Sequence, residues 1–87
     1  MSSVAIILPA FNEELTISDT IEDFHRELPG AMIVVVNNAS TDNTYCVATR
    51  TLETLAARGM VVNEPRAGKA NAVRTGLQAF DADIYVM

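Results

Sequence analysis

The chain alternates short, uninterrupted apolar runs with longer stretches of helical period, and that alternation leaves few folds open. Val4-Ala5-Ile6-Ile7-Leu8 and Met32-Ile33-Val34-Val35-Val36 are apolar at every position. A strand with one wet face would alternate apolar and polar residues. A continuous run suits a strand covered on both faces, as in a parallel sheet. Between the two runs Ile17, Ile21, Phe24 and Leu28 recur at spacings of three or four, which predicts a helix over 13–28 with one apolar stripe. Glu13 and Glu14 suit its positive end, and Pro29-Gly30 stops it.

The pattern then repeats. A second helix is expected over 43–58, with Tyr45, Ala48, Leu52 and Leu55 on one face, Asp42 as N-cap and Gly59 as stop. Met60-Val61-Val62-Asn63 reads as a short third strand. Ala70, Val73, Leu77 and Phe80 mark a third helix, and Ile84-Tyr85-Val86-Met87 begins a fourth strand. Strands alternating with helices through short connections, with right-handed crossovers, make a three-layer Rossmann-like α/β fold. Its sheet is parallel, in the order 3-2-1-4, with helices on both faces. The chain stops inside the fourth strand, so residues 1–87 are expected to form a single partial domain, the front half of a larger sheet.

Each strand hands over to a block of small polar residues. Pro9-Ala10-Phe11-Asn12-Glu13 follows the first run, Asn37-Asn38-Ala39-Ser40-Thr41-Asp42-Asn43-Thr44 the second, and Arg66-Ala67-Gly68-Lys69 the third. In an open α/β sheet ligands bind just outside the carboxyl ends of the strands. Two polar loops and one basic loop there suit a nucleotide and its phosphates. The charge distribution agrees. The net charge of −5 speaks against nucleic-acid or membrane-surface partners. Residues 13–27 carry −5, whereas residues 66–76 hold Arg66, Lys69 and Arg74 with no acid, a local +3.

The commonest phosphate signatures are absent. No G-x-G-x-x-G follows the first strand. Gly68-Lys69 leads into Ala70 with no glycine five residues earlier, so it is no Walker A loop. No Cys/His cluster has metal-ligand spacing, and there is no nucleophile elbow. With 49% apolar residues the chain is too hydrophobic to be disordered. Its one cysteine, Cys46, excludes an internal disulfide and fits a reducing compartment. No signal peptide is visible and no run approaches the roughly 20 residues of a membrane span, so the expected location is cytoplasmic, or the cytosolic face of a membrane through regions missing here. Asn38-Ala39-Ser40 matches a glycosylation sequon, which means little without secretion.

The first two loop blocks, together with Arg66-Ala67-Gly68-Lys69-Ala70-Asn71-Ala72, resemble in order and position the N-terminal half of family 2 inverting glycosyltransferases of the GT-A fold. The resemblance covers essentially all 87 residues. It implies that this half binds the nucleotide of a nucleotide-diphosphate sugar for transfer to an acceptor hydroxyl. Pro9, Ala10 and Phe11 would then wall the base and ribose, and Glu13 would accept hydrogen bonds from ribose hydroxyls. Asn37 and Asn38 stand where the family usually has Asp-Asp or Asp-Asn and would read the base edge, with the charge lost. Lys69 and Arg66 would meet the base or the diphosphate. A divalent cation, Mg²⁺ or Mn²⁺, and a carboxylate base are implied only for the full-length protein. Asp81 and Asp83 precede the fourth strand, at the wrong end of the sheet for the metal, so no catalytic or metal residue is assigned here and the fragment is expected to be inactive.

Each assignment has a plainer counterpart. Glu13 serves equally as a helix-start carboxylate, residues 37–44 as turn and cap residues, and Lys69, Arg66 and Arg74 as solvated charges. His25 and Cys46 carry no role. The rival for the whole chain is a non-enzymatic α/β module binding a small ligand or a partner. A sugar-nucleotide pyrophosphorylase would need a Gly-rich loop after the first strand, which Pro9-Ala10-Phe11 is not. An unpaired strand edge left by an incomplete sheet predicts self-association.

Overall fold

The computed structural model describes residues 2–87. The elements are β1 (Val4–Ala10), α1 (Ile17–Glu27), β2 (Met32–Asn38), α2 (Thr44–Leu55), β3 (Gly59–Glu64), α3 (Lys69–Ala79) and β4 (Ile84–Val86). The four strands form one parallel sheet in the order β3-β2-β1-β4, as the apolar runs and crossover rule predict. No helix among the described residues is long and apolar enough to cross a membrane.

The uninterrupted apolar runs are explained by what covers each face. Side chains of a strand alternate between faces. Ile6, Leu8, Ile33 and Val35 point one way and bury against Ile17 and Ile21 of α1 and Ala48 and Leu52 of α2. Ile7, Val34 and Val36 point the other way, onto α3. Burial of one such side chain is worth roughly 1.5–3 kcal/mol, and neither face is left to water.

The two faces are covered differently, and here the expected apolar stripe of α3 is corrected. The helix turns Ala72 and Gly76 inward, while Ala70 and Leu77 are exposed. Of the expected stripe, Phe80, just past the helix end, does pack on this face. A Cβ on Gly76 would collide with Ile7 Cγ2 and come within 3.1 Å of Val36 Cγ2, so only glycine allows the helix to lie this close.

Other boundaries also differ. Each of the first two strands runs on into its polar block, so that Pro9 and Ala10 belong to β1 and Asn37 and Asn38 to β2. Backbone pairing continues there whatever the side chains are, with Ala10 opposite Asn37 and Asn38 opposite Glu64. Among the described residues β4 pairs with β1 at residues 4–6. Helix α1 starts at Ile17, after a turn in which the Thr16 and Ile17 N–H groups donate to the Glu13 carbonyl. Helix α2 ends on Ala56 in the left-handed region (φ 50°), and Gly59 is the first residue of β3. Asn43 flanks the start of α2; Asp42, one residue earlier, still accepts the Thr44 N–H at 3.0 Å.

Candidate functional site

A cleft of about 620 Å³ opens at the carboxyl ends of β1 and β2. That size lies within the roughly 300–1,000 Å³ of small-molecule sites. Its floor is apolar, from Ile7, Leu8, Ile17 and Val73. Around it stand Pro9, Ala10, Phe11, Glu13, Asn38 and Lys69, six of the eight residues singled out from the sequence, so the three loops do converge. Phe11 is 57% exposed, which makes it an aromatic surface available to a planar ring at the mouth. Asn37 and Arg66 lie outside the cleft lining.

The β1–α1 loop owes its shape to the loop beside it. The Asn12 N–H donates to Ser40 Oγ at 3.0 Å, and Asn12 Oδ1 accepts the Thr41 N–H at 2.8 Å. The Glu13 N–H donates to Thr44 Oγ1 at 2.8 Å, and the Glu14 N–H donates to Asp42 Oδ2 at 3.2 Å. The Thr44 hydroxyl in turn donates to Asp42 Oδ1. Asn12 and Ala39 both adopt positive φ, 49° and 61°, and for Asn12 these bonds hold it there. The Asp42 carboxyl is held below its usual range, first by the Thr44 hydroxyl and against some desolvation. Sequence reading left Ser40, Thr41, Asp42 and Thr44 as local turn and cap residues. The available signal was their number: five hydroxyl, amide or acid residues in a row at 40–44 exceed what one turn needs.

The β3–α3 loop is tied in another way. Glu64, at the last position of β3, is 3% exposed. Its carboxylate accepts the Arg66 N–H and Nε–H at 2.8 and 3.1 Å, Arg66 Nη2–H at 2.8 Å, and the Thr75 hydroxyl. These bonds, the Arg66 side chain first, pull the Glu64 pKa from 4.5 to about 2, and the same pairing raises that of Arg66. The side-chain nitrogen of Asn38 donates to the carbonyls of Glu64 and Arg66 at 3.2 and 2.8 Å, a second bolt across the loop. Glu64 was not weighed from the sequence. An acid ending an apolar strand two residues before an arginine was the signal.

The loop held this way presents Gly68, at φ 114°, and Lys69, the first residue of α3, to the cleft. Free backbone N–H groups at a helix start beside a lysine suit an anion. One strand over, Asn37 Nδ2 donates to Asn63 Oδ1 at 3.0 Å, while Asn37 Oδ1 is buried without a partner. No group of three or more His, Cys, Asp or Glu that could hold a metal ion is gathered among the described residues. Asp83 sits at the other end of the sheet, where it accepts the Ser3 N–H at 2.9 Å.

A parallel 3-2-1-4 sheet with a cleft at its carboxyl ends, lined by an acid, an amide and a helix-start lysine, is the architecture of the N-terminal part of a GT-A glycosyltransferase. Residues 5–87 match the family model described as Glycosyl transferase family 2, and the chain belongs to that family. Among curated relatives, the protein RfbJ of Shigella flexneri is 40% identical over 85 residues, covering 98% of this chain and 61% of RfbJ. An uncharacterised glycosyltransferase of Escherichia coli, YaiP, is 32% identical, and the match covers 92% of this chain and 22% of that protein. Among solved structures, the mannosyltransferase PcManGT of Pyrobaculum calidifontis, in complex with GDP-Man and Mn²⁺, superposes with a TM-score of 0.87 at 29% identity, over 97% of this chain and 26% of that one. Glucosyl-3-phosphoglycerate synthase of Mycobacterium tuberculosis, with Mn²⁺, UDP-Glc and phosphoglyceric acid, gives a TM-score of 0.77 at 28% identity, over 98% and 32% of the two chains. The chain thus spans three fifths of one curated relative and about a quarter of the others.

Proposed function

We propose that this chain supplies the donor-nucleotide site of an enzyme that moves a sugar from a nucleotide diphosphate to an acceptor hydroxyl. The observation that carries the reading is the convergence of Glu13 and Lys69 in one apolar-floored cleft, the acid on the β1–α1 loop and the cation at the start of α3. Pro9, Ala10 and Phe11 wall the base and ribose. Glu13 accepts from the ribose hydroxyls. Lys69 and the first amides of α3 meet the diphosphate. The base edge falls to Asn38, which lines the cleft; its amide nitrogen is committed to two carbonyls, so its carbonyl oxygen is the group offered to the base, while Asn37, outside the lining and with its own carbonyl oxygen buried, is set aside. Arg66, gripped by Glu64, acts on the site through the loop it holds rather than as a free cation. Relatives were solved with Mn²⁺ beside a nucleotide sugar. Since the described residues gather no such site, any cation here would draw its ligands from elsewhere in a longer protein.

Calorimetry on the full chain tests this. UDP or GDP should bind measurably better than inorganic phosphate. Lys69→Ala should weaken the diphosphate roughly tenfold, as loss of a charge-assisted contact would, while Arg74→Ala on the outer side of α3 changes little. Equal losses from the two substitutions, or no preference for any nucleotide over phosphate, would overturn the assignment and favour a binding module without nucleotide chemistry.

A further inference from the structure

The pair Asp42 and Thr44 does more than start α2. Thr44 is fully buried, and its hydroxyl takes the Glu13 N–H before passing its own proton toward Asp42. Asp42 uses its other oxygen for the Glu14 N–H. The Glu13 and Glu14 amides belong to the two peptide planes that flank the Glu13 Cα. With both planes pinned, φ and ψ of Glu13 are set, and with them the direction of its Cα–Cβ bond. The Asn12 side chain and Ser40 fix the preceding residue in the left-handed region from the same neighbouring loop. Yet Glu13 itself is exposed, and its side chain lies on the cleft wall. A flexible acid has been given a rigid root by side chains that do not line the cleft.

We infer that Asp42 and Thr44 are positioning residues that aim the Glu13 carboxylate at the ribose of the bound nucleotide. The inference rests on the reading above that Glu13 meets the ribose hydroxyls. If the pair only capped α2, its loss would loosen that helix and leave the acid's aim alone. If it positions Glu13, its worth for binding exists only while Glu13 has a carboxylate to aim.

The test is a double-mutant cycle read by calorimetry on the full chain, with UDP as ligand and inorganic pyrophosphate as the ribose-free probe. Thr44→Val removes the hydroxyl at constant volume and should weaken UDP by about tenfold while leaving pyrophosphate within twofold, a loss typical of residues that orient a binding group. Thr44→Ser, which keeps the oxygen, should restore binding. In a Glu13→Gln background Thr44→Val should cost less than a further twofold. Should Thr44→Val not fold, as judged by its thermal melt, Asp42→Asn replaces it in the same cycle, since the amide loses one of the two acceptor oxygens. Equal losses in both Glu13 backgrounds, or equal losses for UDP and pyrophosphate, overturn the positioning role. A Glu13→Gln change that leaves UDP binding intact overturns the ribose reading itself, and the positioning role with it.

Discussion

The two walls of the cleft are built from opposite materials. On the β1–α1 side the loop hangs on several bonds of ordinary strength to Ser40, Thr41, Thr44 and a half-buried Asp42, each holding one backbone amide or one side-chain oxygen. On the β3–α3 side nearly everything converges on one buried carboxylate, Glu64, with Asn38 as a second bolt. β1 and β2 are neighbours, so their following loops lie side by side and share many weak contacts. The β3–α3 loop takes the Asn38 side chain from its neighbour β2 and is otherwise held from below, by a deep acid that pairs with the loop's own arginine.

Breaking the concentrated side should hurt most. Gly76 lets α3 lie against Ile7 and Val36, and so sets Thr75 on Glu64. Gly76→Val should lift the helix and cost about 3 kcal/mol by overpacking, read as a shift of the urea midpoint. An unchanged midpoint would mean that α3 does not depend on close contact to hold this wall.

Glu64→Gln should have the next largest effect, and it carries a pH signature. The folded pKa of about 2 lies below the usual 4.5, so the stabilisation by Glu64 is fully present above that usual value and drains away as pH falls toward 2. The variant should melt lower than the parent near neutrality, and its melting temperature should fall less steeply between pH 4.5 and 2. Parallel curves for parent and variant would remove Glu64 as the pH-sensitive bolt. Asp42 is shifted in the same direction on the opposite wall, so the Glu64→Gln curve should keep a residual slope.

The distributed wall should be the most forgiving. Ser40→Ala deletes one acceptor at the loop's exposed end and should cost about 0.5–1 kcal/mol, since Asn12 keeps its bond from Thr41. A loss as large as that of Gly76→Val, measured by the same denaturant titration, would mean that the first wall too hangs on a single point.

Much of this was legible in the sequence, and the failures share a cause. Period and composition sufficed for the runs at 4–8 and 32–36 because both faces of the sheet are covered by apolar contacts, which a hydropathy pattern records. They failed for α3, where contact is made by the smallest residues, Ala72 and Gly76, and not by Val73 or Leu77. The cleft lining was visible because its loops follow strands. The supports under it were not, because nothing in a linear string says that Thr44 reaches Glu13 or that Glu64 reaches Thr75. Asn37 and Asn38 were read as loop because they are polar, although the ladder to β3 extends through them.

The bonds that shape the first wall join residues 28 to 31 positions apart along the chain. They cannot form until β1 and β2 have met in register, so this wall has no existence in a partly folded chain. Occupancy and folding are then the same event seen from two sides. A nucleotide bound at Glu13, as proposed, would stabilise the sheet by mass action, in proportion to the logarithm of its concentration over its dissociation constant. The amides of Glu13 and Glu14 should exchange with solvent only as fast as the strands part, which makes them reporters of that opening.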